Sequence, residues 1–245
     1  MKGGREYARG IKRLYRELTR RYGRCGPREP GDPIDEMIVG ILALDSSLSK
    51  AHAVYKKLRQ HTVDLNDLRV TPAIELAELI GQAVPLGAAK ARRIVDALNA
   101  VRRRQDTLDL SFLRQRGRRE AREYLESLEG VGPTVAAHVV LFSLGGHAIP
   151  VDHLTLYVLR KEGLVDGSAD CVQVQAHLER WISAAEAEGF VQLLNRHVAT
   201  YVSRVAVEAL PAMLNLAPAA PAPAAAPVQA SPPAVPAAAK PKGAG

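Results

Sequence analysis

Apolar positions recur along this chain at intervals of three and four residues, the spacing that places side chains on one face of a helix. Ile11, Leu14, Tyr15 and Leu18 form such a stripe on an otherwise basic first helix. Gly26 to Pro33 interrupts the pattern, and Pro27, Pro30 and Pro33 predict a loop there. Ile34 to Leu44 is apolar on most sides and predicts a buried helix. Ser49 opens the next helix, which runs to Gln60. Thr71 before Pro72 predicts an N-cap followed by a first-turn proline, with a helix continuing to Ile80. Gly87 to Arg104 carries Ile94, Val95 and Leu98 as its apolar stripe. Further helices are predicted over 119–128, 133–144, 153–162, 171–185 and 187–210. No stretch sustains the alternation of a strand and no internal repeat is visible, so the fold class is all-α. The helices suit two lobes, one formed mid-chain and one from both ends.

Composition changes this picture at the carboxyl end. From Ala217 onward the chain is almost entirely Ala and Pro, ending near Lys240-Pro241-Lys242. Such a segment has too little apolar bulk to offset the entropy of ordering and is expected to be disordered. Three regions follow: a basic helix and loop (1–30), an all-α domain (31–210), and an Ala/Pro-rich tail (211–245). The remaining ~210 residues suffice for one large core or two small lobes.

The formal net charge is +7. Residues 1–30 hold ten Lys or Arg against three Glu, and further runs lie at Arg102 to Arg104 and from Arg114 to Arg122. Clustered basic charge suits a polyanion, because each phosphate contact releases counterions; a solvated helix face is the alternative. The two cysteines, Cys25 and Cys171, form no zinc or cluster-binding spacing. No apolar run approaches the ~20 residues of a membrane span. A cytoplasmic chain without disulfides is therefore expected.

The most informative stretch is Leu128-Glu129-Gly130-Val131-Gly132-Pro133-Thr134-Val135-Ala136-Ala137. One helix ends at Leu128 and another starts at Pro133, a residue suited to a first helical turn. The glycines permit positive φ and close backbone approach. Free N–H groups at the start of the second helix form an anion site, and a DNA phosphate fits it. Ala136 and Ala137 allow tight helix packing. Downstream, Pro150-Val151-Asp152-His153 places Asp152 where a helix N-cap belongs.

A Leu-x-Gly-Val-Gly hairpin, an apolar helix and then Pro-Val-Asp resembles the helix-hairpin-helix (HhH-GPD) DNA glycosylase superfamily, the endonuclease III type in particular. The interval of 18 residues from Thr134 to Asp152 matches the family. Gly87 to Ala91 with Ile94 resembles its Lys-Ala helix, and Ile34 to Lys50 its early buried helix. The likeness covers residues 34–205, and the hairpin-to-aspartate segment is its specific part. The resemblance implies removal of a damaged base flipped from duplex DNA. Asp152 would stabilise the developing sugar cation or activate water. Gly130, Val131, Gly132, Thr134, Val135 and His153 would contact DNA, and the carbonyls of Glu126, Leu128 and Val131 would hold a structural monovalent cation.

The chain also departs from that family. Bifunctional members carry a lysine where Thr134 stands; Thr134 has no amine for a Schiff base, so a monofunctional glycosylase without lyase activity is expected. No cofactor is expected, because the four cysteines of the family's iron–sulfur cluster are missing after the second lobe. The polar Gln and Thr that fill the gap of a flipped base have no match in Ile41-Leu42-Ala43-Leu44, and Tyr157 replaces a family arginine. His138, His147 and His153 share no helix face with a carboxylate, so no metal site is expected. Asp45, Ser46 and Ser47 lie near a pocket mouth or cap the helix after them. The expected state is a monomer, nucleoid-associated when bound to DNA. The alternative is a catalytically inactive DNA-binding relative, which a cavity filled by Leu42 and Leu44 beside Asp152 would favour. A protein scaffold using the tail is a third class.

Overall fold

In the computed structural model, residues 4–203 are described; the expectations for the tail at 211–245 lie outside them. Eleven α-helices and one 3-10 turn account for the regular structure of the described residues, without a strand. The helices are α1 (Gly4–Tyr22), α2 (Pro33–Ala43), α3 (Leu48–His61), α4 (Leu65–Val70), α5 (Ala73–Ile80), α6 (Gly87–Gln105), α7 (Arg118–Glu126), α8 (Pro133–Phe142), α9 (His153–Lys161), α10 (Cys171–Trp181) and α11 (Ala184–Val202).

The apolar α2 lies within the core of the described residues. Every residue from Met37 to Ala43 is buried, and the helix packs against α3, α6 and α8. The mid-chain helices α3 to α6 pack among themselves, while α1, α9, α10 and α11 form a second group. α7 packs on α8, and α8 touches both α2 and α11. Burying a large aliphatic side chain contributes about 1.5–3 kcal/mol. Ile38, Ile41 and Leu42 of α2 and Val139 of α8 are all fully buried, so the α2–α8 contact ties α2 firmly to the hairpin.

Several local expectations needed correction. Pro33 does not extend the loop: it is the first residue of α2, capped by Asp32, whose carboxylate accepts from the N–H groups of Ile34 (2.8 Å) and Asp35 (3.3 Å). The cap of α3 is Ser47, accepting from Lys50 N–H at 3.2 Å, so the helix starts before Ser49. Thr71 closes α4 by donating its hydroxyl to Asp67 O, and Pro72 is itself the N-cap residue of α5. Between α10 and α11 the break comes at Ile182-Ser183, because Ser183 and Glu186 build a capping box. The segment expected to extend helix 187–210 beyond residue 203 falls outside the described residues.

Candidate active site

The loop between α7 and α8 turns through Gly130, whose φ is +81°. Only one of the two motif glycines requires that identity for its backbone. A Cβ on Gly130 would lie 2.5 Å from the carbonyl oxygen of Arg93, whereas Gly132 has φ −100° and faces only an ordinary contact. Gly130 thus seats the hairpin on the backbone of α6. Arg93 strengthens the contact by donating Nε–H to Gly130 O at 2.9 Å. Arg104 holds the end of α7 by donating to Ser127 Oγ (2.6 Å) and Ser127 O (2.7 Å).

At the start of α8, the first helical hydrogen bond runs from Ala136 N–H to Gly132 O. Pro133 has no N–H, and the N–H groups of Gly132, Thr134 and Val135 find no acceptor among the described residues. These are the expected anion-facing groups. The Val135 side chain is fully buried, so its backbone alone is available to a ligand. Val131 donates its N–H to Leu128 O at 3.1 Å, which occupies one lone pair of a carbonyl expected to hold a cation. Glu126 ends α7 at the same turn. The Arg114–Arg122 run behaves mostly as a solvated face: Arg116, Arg119 and Arg122 each pair with a Glu one turn onward along α7.

Thr134 is the second residue of α8 and donates its hydroxyl to Val151 O at 2.8 Å. That contact joins the hairpin helix to the strand-like approach of α9. Asp152 then caps α9: Oδ1 accepts from Thr155 N–H at 2.8 Å, and Oδ2 accepts from Asp45 N–H at 2.7 Å. Asp45 returns the contact, its Oδ1 accepting from Leu154 N–H at 3.0 Å. This reciprocal capping holds the turn after α2 against the start of α9. Asp45 has φ +53°, the left-handed region that an aspartate tolerates better than most residues. His153 is exposed, with Nδ1 3.7 Å from Asp45 Oδ2.

Removal from water raises the Asp152 pKa, and the neighbouring Asp45 charge raises it further; the two backbone N–H bonds oppose both. Beneath the pair, buried Lys90 donates to Leu42 O (2.9 Å) and Leu44 O (2.6 Å), closing the carbonyl end of α2. Burial brings its ammonium down to about 8, although Asp45 and Asp152 favour the charged form. Asp152, Thr134, His138, Leu44, Leu48 and Asn195 line a cavity of about 40 Å³. At ~10–15 Å³ per water centre, this holds a few waters and no nucleobase.

Spacing brought Asp152, Thr134 and the hairpin into view. The roles of Lys90 and Asn195 were not anticipated. Asn195 accepts from Leu48 N–H at 2.8 Å and donates to Ser46 O at 3.3 Å, tying α11 to the pocket rim. Asp45 was legible only as a pocket-mouth or capping residue. His138, one of the three histidines expected to share no helix face with a carboxylate, is bonded through Nε2 to Glu36 Oε2 of another helix at 2.9 Å. Among the described residues no three or more His, Cys, Asp or Glu form a metal-holding group, and no helix is long and apolar enough to cross a membrane.

No family model matches the chain. An Arabidopsis thaliana protein provisionally named a DNA glycosylase is 26% identical over 151 residues, which are 61% of this chain and 50% of that protein. The chain thus spans about half the length of the curated relative it matches. An endonuclease III solved in a non-covalent complex with DNA superposes with a TM-score of 0.59 at 22% identity, over 77% of this chain and 84% of the other. The Clostridium acetobutylicum 8-oxoguanine glycosylase/lyase, solved with double-stranded DNA, gives 0.60 at 16% identity, over 81% of this chain and 70% of that one. The chain has the fold of the helix-hairpin-helix DNA glycosylases.

Proposed function

We propose that this protein is a monofunctional DNA glycosylase, binding duplex DNA through the α7–α8 hairpin and hydrolysing the N-glycosidic bond of a base turned out of the helix. The observation that carries this reading is Asp152, a partly buried carboxylate fixed by two backbone N–H groups beside the hairpin. Each carboxylate oxygen accepts one bond in the structure, leaving lone-pair capacity for a water or for the developing positive charge at the anomeric carbon. The open N–H groups of Gly132, Thr134 and Val135 would bind the phosphate beside the extruded nucleotide. Thr134 supplies no amine, so the base leaves and the sugar stays in the strand as an abasic site, with no Schiff base formed at this position.

Replacing Asp152 with Asn keeps the shape and removes the charge. The expected result is loss of base release with duplex affinity within about twofold of wild type. Wild-type release rates in Asp152→Asn would refute the assignment.

One observation favours a second reading, that of a DNA-binding protein without catalysis. Leu44 and Leu48 wall a cavity of about 40 Å³, far below the ~300 Å³ at which ligand pockets begin. Under the first reading the extruded base must displace these side chains or be held outside this small cavity. Under the second, Asp152 is a helix cap alone, and Leu48→Ala would leave an inactive protein inactive.

A further inference from the structure

A second and larger cavity, of about 490 Å³, adjoins the one at Asp152; Leu48 and Asn195 line both. Its volume lies within the range of sites that hold small molecules. Its walls include Phe142, Arg28, His52, Gln192 and Arg196, and no Asp or Glu lines it. The Arg28 guanidinium covers the Phe142 ring at 4.2 Å from its centroid. Arg28 Nη2 is 2.7 Å from Glu36 Oε2, the same oxygen that His138 approaches, and Nη1 is 3.3 Å from His52 Nε2. A chain from half-buried Arg28 to buried Glu36 and His138 therefore links the walls of the two cavities. Arg28 Nε is buried with no hydrogen-bond partner, and Glu188 Oε1 lies 4.0 Å from it.

We infer that this chamber receives the extruded base and selects neutral bases rich in carbonyl acceptors, such as uracil and oxidised bases, over cationic N-alkylated purines. The inference rests on the glycosylase reading. Guanidinium groups only donate hydrogen bonds, so they suit carbonyl oxygens on a base edge. A cationic base would need either a carboxylate or an open aromatic face. Here Glu36 already pairs with Arg28, the Phe142 face is taken by the same guanidinium, and the other aromatic wall, Tyr22, has the Arg21 guanidinium 5.1 Å from its ring centroid. Arg196 is exposed at the rim without an ion pair among the described residues, so it adds a second cation to repel an alkylated purine.

The test is equilibrium binding of the full chain to duplexes carrying 2′-fluorinated, non-cleavable uracil, 8-oxoguanine or 7-methylguanine nucleotides, each against an undamaged duplex. The expected result is at least tenfold tighter binding to one carbonyl-rich lesion and no preference for 7-methylguanine. Arg196→Gln should shrink the lesion-to-undamaged ratio about fivefold. Preference for 7-methylguanine, no preference for any lesion, or a ratio unchanged in Arg196→Gln would overturn the inference. Base release from the matching cleavable duplexes is measured alongside. Lesion preference without release would sink the glycosylase reading while supporting the chamber's selectivity.

Discussion

Replacing Gly130 with Ala tests how the hairpin is held, and the structure supplies the magnitude. An L side chain at φ +81° sits in the left-handed region, which costs about 1–2 kcal/mol. The new Cβ would also lie 2.5 Å from Arg93 O and 3.3 Å from Ala97 N, both backbone atoms of α6 that cannot swing aside. Overpacking of this kind costs typically about 1–3 kcal/mol. The two effects together give about 2–5 kcal/mol. At ~2–4 °C per kcal/mol for a domain of this size, Tm should fall by roughly 4–20 °C. Gly132→Ala is the internal control: its φ is ordinary and its nearest neighbour is the end of the Arg93 side chain at 3.6 Å. It should change stability by less than about 0.5 kcal/mol. Thermal and urea denaturation of both variants decide the matter. Equal losses in the two, or a Gly130→Ala protein as stable as wild type, would refute the claim that Gly130 alone is fixed by packing on α6.

Three further outcomes follow from the site. Asp45→Asn keeps an acceptor for Leu154 N–H but removes the charge that raises Asp152, so the Asp152 titration followed by carboxyl NMR should move to lower pH; an unmoved titration would contradict the pairing. Lys90 has its folded-state pKa depressed from 10.5 to about 8, so the unfolded chain binds the extra proton between those values. Relative to Lys90→Met, wild type should therefore gain stability as pH rises through that window, by about 3 kcal/mol at ~1.4 kcal/mol per unit; a pH-independent difference in urea unfolding would count against it. Thr134→Lys places an amine in the Asp152 cavity and should yield a borohydride-trappable complex with abasic DNA, which wild type should not form.

The helical class, the hairpin and Asp152 were legible because each is written locally, in periodicity, in Gly-Val-Gly before Pro133, and in a capping aspartate after Pro150. The helix α4 and the 3-10 turn Ser111–Gln115 escaped notice, being too short to develop a stripe. Thr71 was misread because Thr before Pro suits a helix start, and here an α4 carbonyl claims its hydroxyl. The partners of the site are another matter. Asp45 meets Asp152 across 107 residues of chain, Lys90 reaches Leu42 across 48, and Asn195 reaches Leu48 across 147. No local pattern encodes such contacts; they exist only once α2, α6, α9 and α11 have packed. The two motif glycines look equivalent in sequence, and only the approach of α6 separates them.

Base release from duplexes bearing uracil, oxidised, alkylated or mismatched bases tests the central claim most directly, with abasic sites revealed by heat and alkali. The account predicts that wild type leaves alkali-labile sites at one carbonyl-rich lesion and that Asp152→Asn leaves none. Release that persists in Asp152→Asn, or its absence from wild type on every duplex despite salt-sensitive binding, would contradict it.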